Sequence, residues 1–176
     1  LQELGLTMRG VPEALGGAVA ERSTVTTVLA AEALAHGDMG LAVAILAPGA
    51  VSTAIGLWGN ADQQARYLPP FTGEDPPAAA LALLEPQPLF DPLAPKARAR
   101  RTGDGFVLEA TKSLVPRGAD AELFVVGAEL EGSGPALFIV ESKSEGVFVE
   151  PEPAMGLRAA SLARVVFDDV KLGPDA

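Results

Sequence analysis

The sequence predicts an α+β multidomain fold, in which an all-α N-terminal helical domain is followed by a β-barrel-like domain. Apolar patterns of helical length fill the first part of the chain, whereas apolar runs of strand length dominate from Ala78 onward. The change falls at Pro76-Pro77, where two prolines end any helix. Short strands separated by Gly and Pro turns are typical of barrels and sandwiches. We therefore expect domains at residues 1–76 and 77–176.

The helical part is expected to contain several alanine-rich segments. A first helix is predicted over Glu21–His36 and a second over Met39–Leu46. Pro48 lacks a backbone N–H and is expected to kink or break the second helix, which resumes over Ala50–Leu57. A further short helix is predicted over Ala61–Tyr67.

The β part is organised around a hairpin. Gly103-Asp104-Gly105 is a tight-turn signal between two strand-like runs, and Lys112 is an isolated charge in the apolar stretch that follows. The basic run Lys96–Arg101 is interpreted as an exposed strand at the sheet edge. The predicted strands are Ala78–Leu84, Lys96–Arg101, Phe106–Leu108, Leu123–Val126, Ala136–Glu141, Gly146–Glu150 and Leu162–Phe167.

Composition excludes several classes of function. Of 176 residues, 13 are Lys or Arg and 23 are Asp or Glu, and the net charge of −10 disfavours binding to nucleic acid. Without cysteine there is no disulfide and no thiolate site, which fits a cytoplasmic location. The run Leu41–Ala47 stops at Pro48 and is too short to span a bilayer, so no membrane partner is expected.

Several motifs occur in a fixed order along the chain. Val11-Pro12-Glu13 leads into Gly16-Gly17, and Gly105-Phe106 is followed by Leu108, Thr111 and Lys112. Further on, Met155-Gly156-Leu157-Arg158 precedes Val166-Phe167-Asp168-Asp169-Val170. Together these motifs resemble the N-terminal and middle domains of the acyl-CoA dehydrogenase family.

The resemblance implies an FAD-dependent α,β-dehydrogenation of an acyl-CoA thioester, in fatty-acid β-oxidation or sterol side-chain catabolism. In that family a C-terminal four-helix domain, which is absent from this sequence, supplies the catalytic carboxylate in most members. The catalytic base is therefore unknown here. The resemblance also implies an acyl-CoA substrate, an electron-transfer flavoprotein or equivalent acceptor, and a homo- or hetero-oligomer with another acyl-CoA dehydrogenase subunit.

The cofactor motifs depart from the family pattern. The family usually reads Thr-Glu-Pro-x-x-Gly-Ser-Asp where this chain reads Leu84-Glu85-Pro86-Gln87-Pro88-Leu89-Phe90-Asp91. After Lys112, an aromatic residue, Ile and a hydroxyl residue are replaced by Leu114, Val115 and Pro116. By position, the resemblance places cofactor contacts at Leu81, Leu83, Leu84, Leu114, Val115 and Pro116, and a substrate contact at Phe90.

Two functions follow from these departures. The first is an acyl-CoA dehydrogenase whose flavin lies in an unusually apolar site. The second is a subunit that has lost flavin and supports an active partner, as in bacterial enzymes of sterol catabolism that pair unlike subunits. Each buried flavin group left without a partner costs about 1–3 kcal/mol of binding, so three losses would weaken binding by orders of magnitude.

Overall fold

The computed structural model describes residues 5–17 and 23–176, with only the backbone of Arg9. In this part of the chain, short 3₁₀ turns lead into three α-helices, and seven strands follow. The helices are α1 (Thr24–Gly37), α2 (Met39–Trp58) and α3 (Ala61–Tyr67). The strands are β1 (Ala79–Ala82), β2 (Arg98–Thr102), β3 (Gly105–Val115), β4 (Leu123–Leu130), β5 (Gly134–Glu141), β6 (Val147–Pro151) and β7 (Ala163–Leu172).

Local side-chain caps fix where the helices begin. The Ser23 hydroxyl accepts the Thr26 N–H at α1, and Asp38 Oδ1 accepts the Leu41 N–H at 2.8 Å at α2. At α3, Asn60 and Gln63 form a reciprocal capping box. The predicted first helix began at residue 21, which lies outside the described residues.

The expected break at Pro48 is wrong, because α2 runs without interruption through this proline. Tertiary packing outweighs the lost hydrogen bond: Pro48 and Gly49 are buried, and the backbone of the N-terminal segment lies against the helix. A Cβ on Gly49 would lie 2.6 Å from the Leu6 carbonyl oxygen, and one on Gly56 would lie 2.2 Å from that of Gly10. Small residues thus allow a backbone-to-backbone approach that holds the helix in place.

The uninterrupted helix also changes the estimate of its length. By length and composition alone, α2 is long and apolar enough to cross a membrane. Half of its most apolar stretch is buried inside the protein, where Val51, Ala54 and Ile55 join a core with the sheet. The core helix of a soluble protein has the same composition, so the expected absence of a membrane partner stays a prediction.

The seven strands form one mixed sheet with the order β1-β4-β2-β3-β7-β6, and β5 pairs with the other edge of β4. The hairpin prediction is confirmed, because β2 and β3 pair antiparallel with Thr102 opposite Gly105. The edge assignment of Lys96–Arg101 is wrong. β2 pairs with β3 along its whole length and with β4 at Arg98 and Ala99. Arg98 and Arg100 are exposed on the face opposite the buried Ala99.

Contacts between strands that are not neighbours show that the sheet curls on itself. The ring of Phe124 on β4 lies 5.8 Å from that of Phe167 on β7, edge to face. Phe106 on β3 and Phe138 on β5 form a similar pair at 5.4 Å. The expected helical domain followed by a barrel-like domain is confirmed, whereas the boundary at residues 76 and 77 stays a prediction.

Candidate functional site

A buried ion pair joins the loop after β1 to strand β3. Lys112 Nζ lies 2.9 Å from Glu85 Oε1, and the side chains are 0% and 4% exposed. Lys112 also donates to the Leu83 carbonyl oxygen at 3.1 Å. The backbone N–H groups of Lys96 and Ala97 donate to the two Glu85 oxygens at 2.8 and 3.0 Å. The pair therefore ties three segments together, with both charges satisfied.

The pKa of the Glu85 carboxyl reflects these contacts. Burial raises this pKa, but the hydrogen bonds from Lys112, Ala97 and Lys96, together with the Lys112 charge, outweigh burial. The net pKa of Glu85 lies below its ordinary value of 4.5. Burial also lowers the pKa of the Lys112 ammonium, against the opposing effect of Glu85. Glu85 is thus held ionised, as the structural partner of a lysine.

Next to the ion pair, the structure brings two of the predicted cofactor segments together. The Ser113 N–H donates to the Leu84 carbonyl oxygen at 2.9 Å. The neighbouring side chains of Leu84 and Leu114 are 40% and 41% exposed. We call these two segments, Leu84 and Ser113–Leu114, the flavin wall, after the cofactor contacts that the resemblance predicts for Leu84 and Leu114.

Glu152, just beyond β6, holds the β3 side of this wall. Ser113 Oγ donates to Glu152 Oε1 at 2.8 Å, and the Leu114 N–H donates to Glu152 Oε2. Leu114 has a left-handed backbone with φ of 51°. It lies in a bulge, because three residue steps on β3 from Lys112 to Val115 match two steps on β7. The sequence analysis missed both Glu152 and Ser113, since no local motif marks a contact across 38 or 39 positions.

The other predicted cofactor residues are less exposed to solvent than Leu84 and Leu114. Leu81 is partly buried and packs in the core between the sheet and α2. Leu83 lies over Gly127, where an added Cβ would be 2.8 Å from its Cδ2. Val115 is buried inside the curled sheet, and Pro116 is half-buried. None of these placements tests cofactor binding, so the assignments stay predictions.

Phe90, the predicted substrate contact, is half-buried beside the ion pair. Its ring centroid lies 6.0 Å from Lys112 Nζ, at the outer limit of a cation–π contact. The preceding Leu89 has φ of 54° and a fully exposed side chain. The family has Gly at this position, and glycine adopts a left-handed backbone without steric cost. Leu89 is strained in the same conformation. The substrate role of Phe90 stays a prediction.

Comparison with known proteins places these features in a family. Residues 1–75 match the sequence profile of the acyl-CoA dehydrogenase N-terminal domain, and residues 80–170 match that of the acyl-CoA dehydrogenase middle domain. The chain belongs to the acyl-CoA dehydrogenase family. The middle-domain profile includes both the ion pair and the flavin wall.

Relatives in the acyl-CoA dehydrogenase family are similar over most of this chain. A short/branched chain specific acyl-CoA dehydrogenase of Bos taurus is 33% identical over 85% of the chain and 36% of its own length. A cyclohex-1-ene-1-carbonyl-CoA dehydrogenase of Geobacter metallireducens is 31% identical over 97% of the chain and 46% of its own length. The chain therefore spans less than half the length of these relatives.

Solved structures of the family superpose closely on this fold. An acyl-CoA dehydrogenase from Bacillus anthracis, complexed with FAD, gives a TM-score of 0.83 at 34% identity, covering 99% of this chain and 30% of its own. A butyryl-CoA dehydrogenase from Megasphaera elsdenii gives 0.84 at 26% identity, covering 99% of this chain and 47% of its own.

The flavin wall fits only part of an FAD molecule. Two half-exposed leucines suit the apolar faces of an isoalloxazine ring. The polar edge of the ring is not matched, because Leu84 has no hydroxyl and Pro116 has neither hydroxyl nor backbone N–H. The N–H groups of Ser113 and Leu114 are already used by Leu84 and Glu152. Among the described residues, the flavin wall thus offers the ring few free hydrogen-bond donors.

Proposed function

We propose that the protein takes part in FAD-dependent α,β-dehydrogenation of an acyl-CoA thioester, in the breakdown of fatty acids or sterol side chains. The observation that carries this proposal is the flavin wall, where Leu84 and Ser113 are joined by a 2.9 Å backbone hydrogen bond. The Bacillus anthracis relative that covers 99% of the chain is described as complexed with FAD.

FAD, when bound, would supply the hydride-accepting chemistry, and the protein would supply the surroundings that orient it. Leu84 and Leu114 contribute apolar contact surface that excludes water from the reacting side. The buried ion pair fixes the backbone carbonyl of Leu83 beside them. Glu85 is not a candidate for the catalytic base, because its oxygens face Lys112 and two backbone N–H groups. We assign no catalytic base to the described residues.

We further propose an acyl-CoA substrate, an electron-transfer flavoprotein or equivalent acceptor, a cytoplasmic location, and an oligomer with the same or another acyl-CoA dehydrogenase subunit. One solved structure, described as an electron transferring flavoprotein of Acidaminococcus fermentans, superposes on this chain with a TM-score of 0.83 at 27% identity. Exposed apolar side chains on α1 and α2, among them Val25, Val28, Leu29 and Trp58, support association with further polypeptide.

A specific observation favours a second function, that of a subunit without flavin that supports an active partner. The hydroxyl groups expected at Leu84 and Pro116 are missing, and the nearest backbone donors are engaged within the protein. Buried flavin groups without partners would each lose about 1–3 kcal/mol. The apolar wall would then remain as part of the fold without holding the ring.

The absorption spectrum of the full-length protein separates the two functions. If the protein purified alone carries flavin bound to its own β domain, the dehydrogenase function is supported. A colourless protein that gains a flavin spectrum and a larger mass by light scattering only with a homologous subunit supports the scaffold.

A titration with FAD then tests the wall itself, read by flavin fluorescence. We expect Leu84→Thr, Phe90→Ser and Pro116→Thr together to raise FAD affinity at least about tenfold, because each returns a polar group or space. Leu93→Thr, an exposed leucine of the same loop, is the matched control and should leave affinity unchanged. Stoichiometric FAD in the wild type, with no gain in the triple variant, would contradict the assignment of these positions.

A further inference from the structure

Leu114 occupies a backbone conformation that its own side chain disfavours. A left-handed φ of 51° costs an L-residue stability, so the conformation persists only when surrounding contacts enforce it. The strain sits at a single bulge residue, with Lys112 and Val115 paired to β7 on either side. The contacts that enforce the bulge are therefore those made by Ser113 and Leu114 themselves.

Those contacts come from Glu152. Its two carboxylate oxygens accept separately, one from Ser113 Oγ and the other from the Leu114 N–H. Hydrogen bonds to an ionised acceptor are about twice as strong as neutral ones, and the buried Ser113 is held at the same time through its own N–H. Among the described residues, the Leu114 N–H donates to no other side chain.

Glu152 is itself fixed in place from the opposite strand. Its backbone N–H donates to the Leu162 carbonyl oxygen at 2.9 Å, which extends the pairing of β6 with β7 by one step. The carboxylate therefore reaches β3 from a segment whose backbone is paired with that preceding β7. This connection links the β6–β7 pair to the flavin wall directly.

We propose that Glu152 is a positioning residue that holds the Ser113–Leu114 bulge in its left-handed form and so presents Leu114 on the flavin wall. The inference rests on the proposed FAD-dependent function for its effect on ligand, whereas its effect on the backbone is independent of that function. Loss of the carboxylate should release the bulge and misplace Leu114, while the buried ion pair at Lys112 remains intact.

The experiment compares Glu152→Ala with Glu150→Ala in the full-length protein. Glu150 is an exposed carboxylate two residues earlier on β6, paired with Arg164 in register, and serves as the matched control. Three quantities are measured: hydrogen exchange of the Leu114 amide, FAD affinity by fluorescence, and the melting temperature as a check of folding. We expect Glu152→Ala to speed exchange at Leu114 and to weaken FAD binding, each about tenfold or more, and Glu150→Ala to change neither.

A glycine in place of Leu114 distinguishes positioning from general loss of stability. Glycine adopts positive φ without steric cost, so the bulge no longer needs to be enforced. In a Leu114→Gly background, Glu152→Ala should therefore have little further effect on FAD affinity. Glu152→Gln, which keeps one carbonyl acceptor, should fall between wild type and Glu152→Ala and covers the case in which the alanine variant does not fold.

The outcomes separate this inference from the proposed function. A folded Glu152→Ala protein with wild-type FAD affinity overturns the inference. Equal losses on Glu152→Ala in the wild-type and Leu114→Gly backgrounds also overturn it. If the wild type binds no FAD, the proposed function fails, and hydrogen exchange of the Leu114 amide alone tests the inference. Faster exchange in Glu152→Ala but not in Glu150→Ala supports the inference. Unchanged exchange in Glu152→Ala overturns it.

Discussion

The ion pair and the flavin wall adjoin each other on the same two segments, yet they are built in opposite ways. Glu85 and Lys112 keep the residue types of the family motifs, and each charged group is buried and hydrogen-bonded. Leu84 and Leu114, one and two positions away, depart from those motifs and leave apolar side chains half exposed. The framework that places the wall is thus retained, whereas the surface offered to a ligand has changed.

The difference shows which constraints act on each part. Removing one member of a buried ion pair leaves an uncompensated charge, so the two residues can change only together. A half-exposed side chain on the wall has water as an alternative partner, and its replacement alters binding far more than folding. The departures from the family pattern at Leu84, Leu114 and Pro116 are therefore informative about ligand binding. The family residues kept at Glu85 and Lys112 are informative about stability.

The largest expected effect is on the free energy of unfolding and comes from breaking the buried ion pair. Lys112→Met should lower the free energy of unfolding by about 3–5 kcal/mol, because Glu85 would remain buried without its counter-charge. Lys171→Met, at an exposed lysine, should change it by less than about 0.5 kcal/mol. Denaturant unfolding followed by circular dichroism measures both. Similar midpoints for the two variants would contradict a structural role for the pair.

A smaller effect is expected from pH, and its sign follows from Glu85. A carboxyl whose pKa is lower in the folded than in the unfolded protein stabilises the fold above its unfolded pKa. That contribution is lost as the pH falls below 4.5 and through the folded-state pKa of Glu85. Unfolding of wild type and Glu85→Gln, measured from neutral to acid pH, should therefore show a stability difference that shrinks in acid. A difference independent of pH would mean that Glu85 does not titrate in this way.

Sequence reasoning located the elements whose causes are local. The Gly103-Asp104-Gly105 turn specifies the β2–β3 hairpin by itself, and the cap at Asp38 marks the beginning of α2. It failed at Pro48, because the packing of α2 against the N-terminal segment lies outside any local rule. It also placed the basic run Lys96–Arg101 at the sheet edge, although Arg98 and Arg100 are exposed on the outer face of an interior strand.

The candidate site divides along the same line. Family motifs pointed to Leu84 and Leu114, which the structure joins through Ser113. The partner of Lys112 lies 27 positions away, and Glu152 lies 38 positions from Leu114. Contacts at such separations depend on the topology of β1, β3 and β6, and no spacing in the sequence encodes them.

The smallest expected effect concerns Leu89, where the wall loop departs from the family glycine. Its left-handed φ of 54° carries a steric penalty of about 1–2 kcal/mol, and its fully exposed side chain gains no burial in return. Leu89→Gly removes that penalty but adds about 0.5–1 kcal/mol of backbone entropy to the unfolded state. The net change should be a stabilisation of about 0.5 kcal/mol, measured as a small rise in melting temperature.

Leu93→Gly is the control for this prediction, because Leu93 is 76% exposed in the same loop and its φ is not positive. With no strain to relieve, that variant should lose stability by about 0.4–1 kcal/mol. Opposite signs for the two leucines would show that the loop carries strain at the position where the family has glycine. Equal destabilisation would show instead that Leu89 makes a compensating contact. A strained, exposed leucine gains no stability from the fold itself. If Leu89→Gly is more stable than the wild type but binds FAD or a homologous subunit less tightly, the Leu89 side chain belongs to a binding interface.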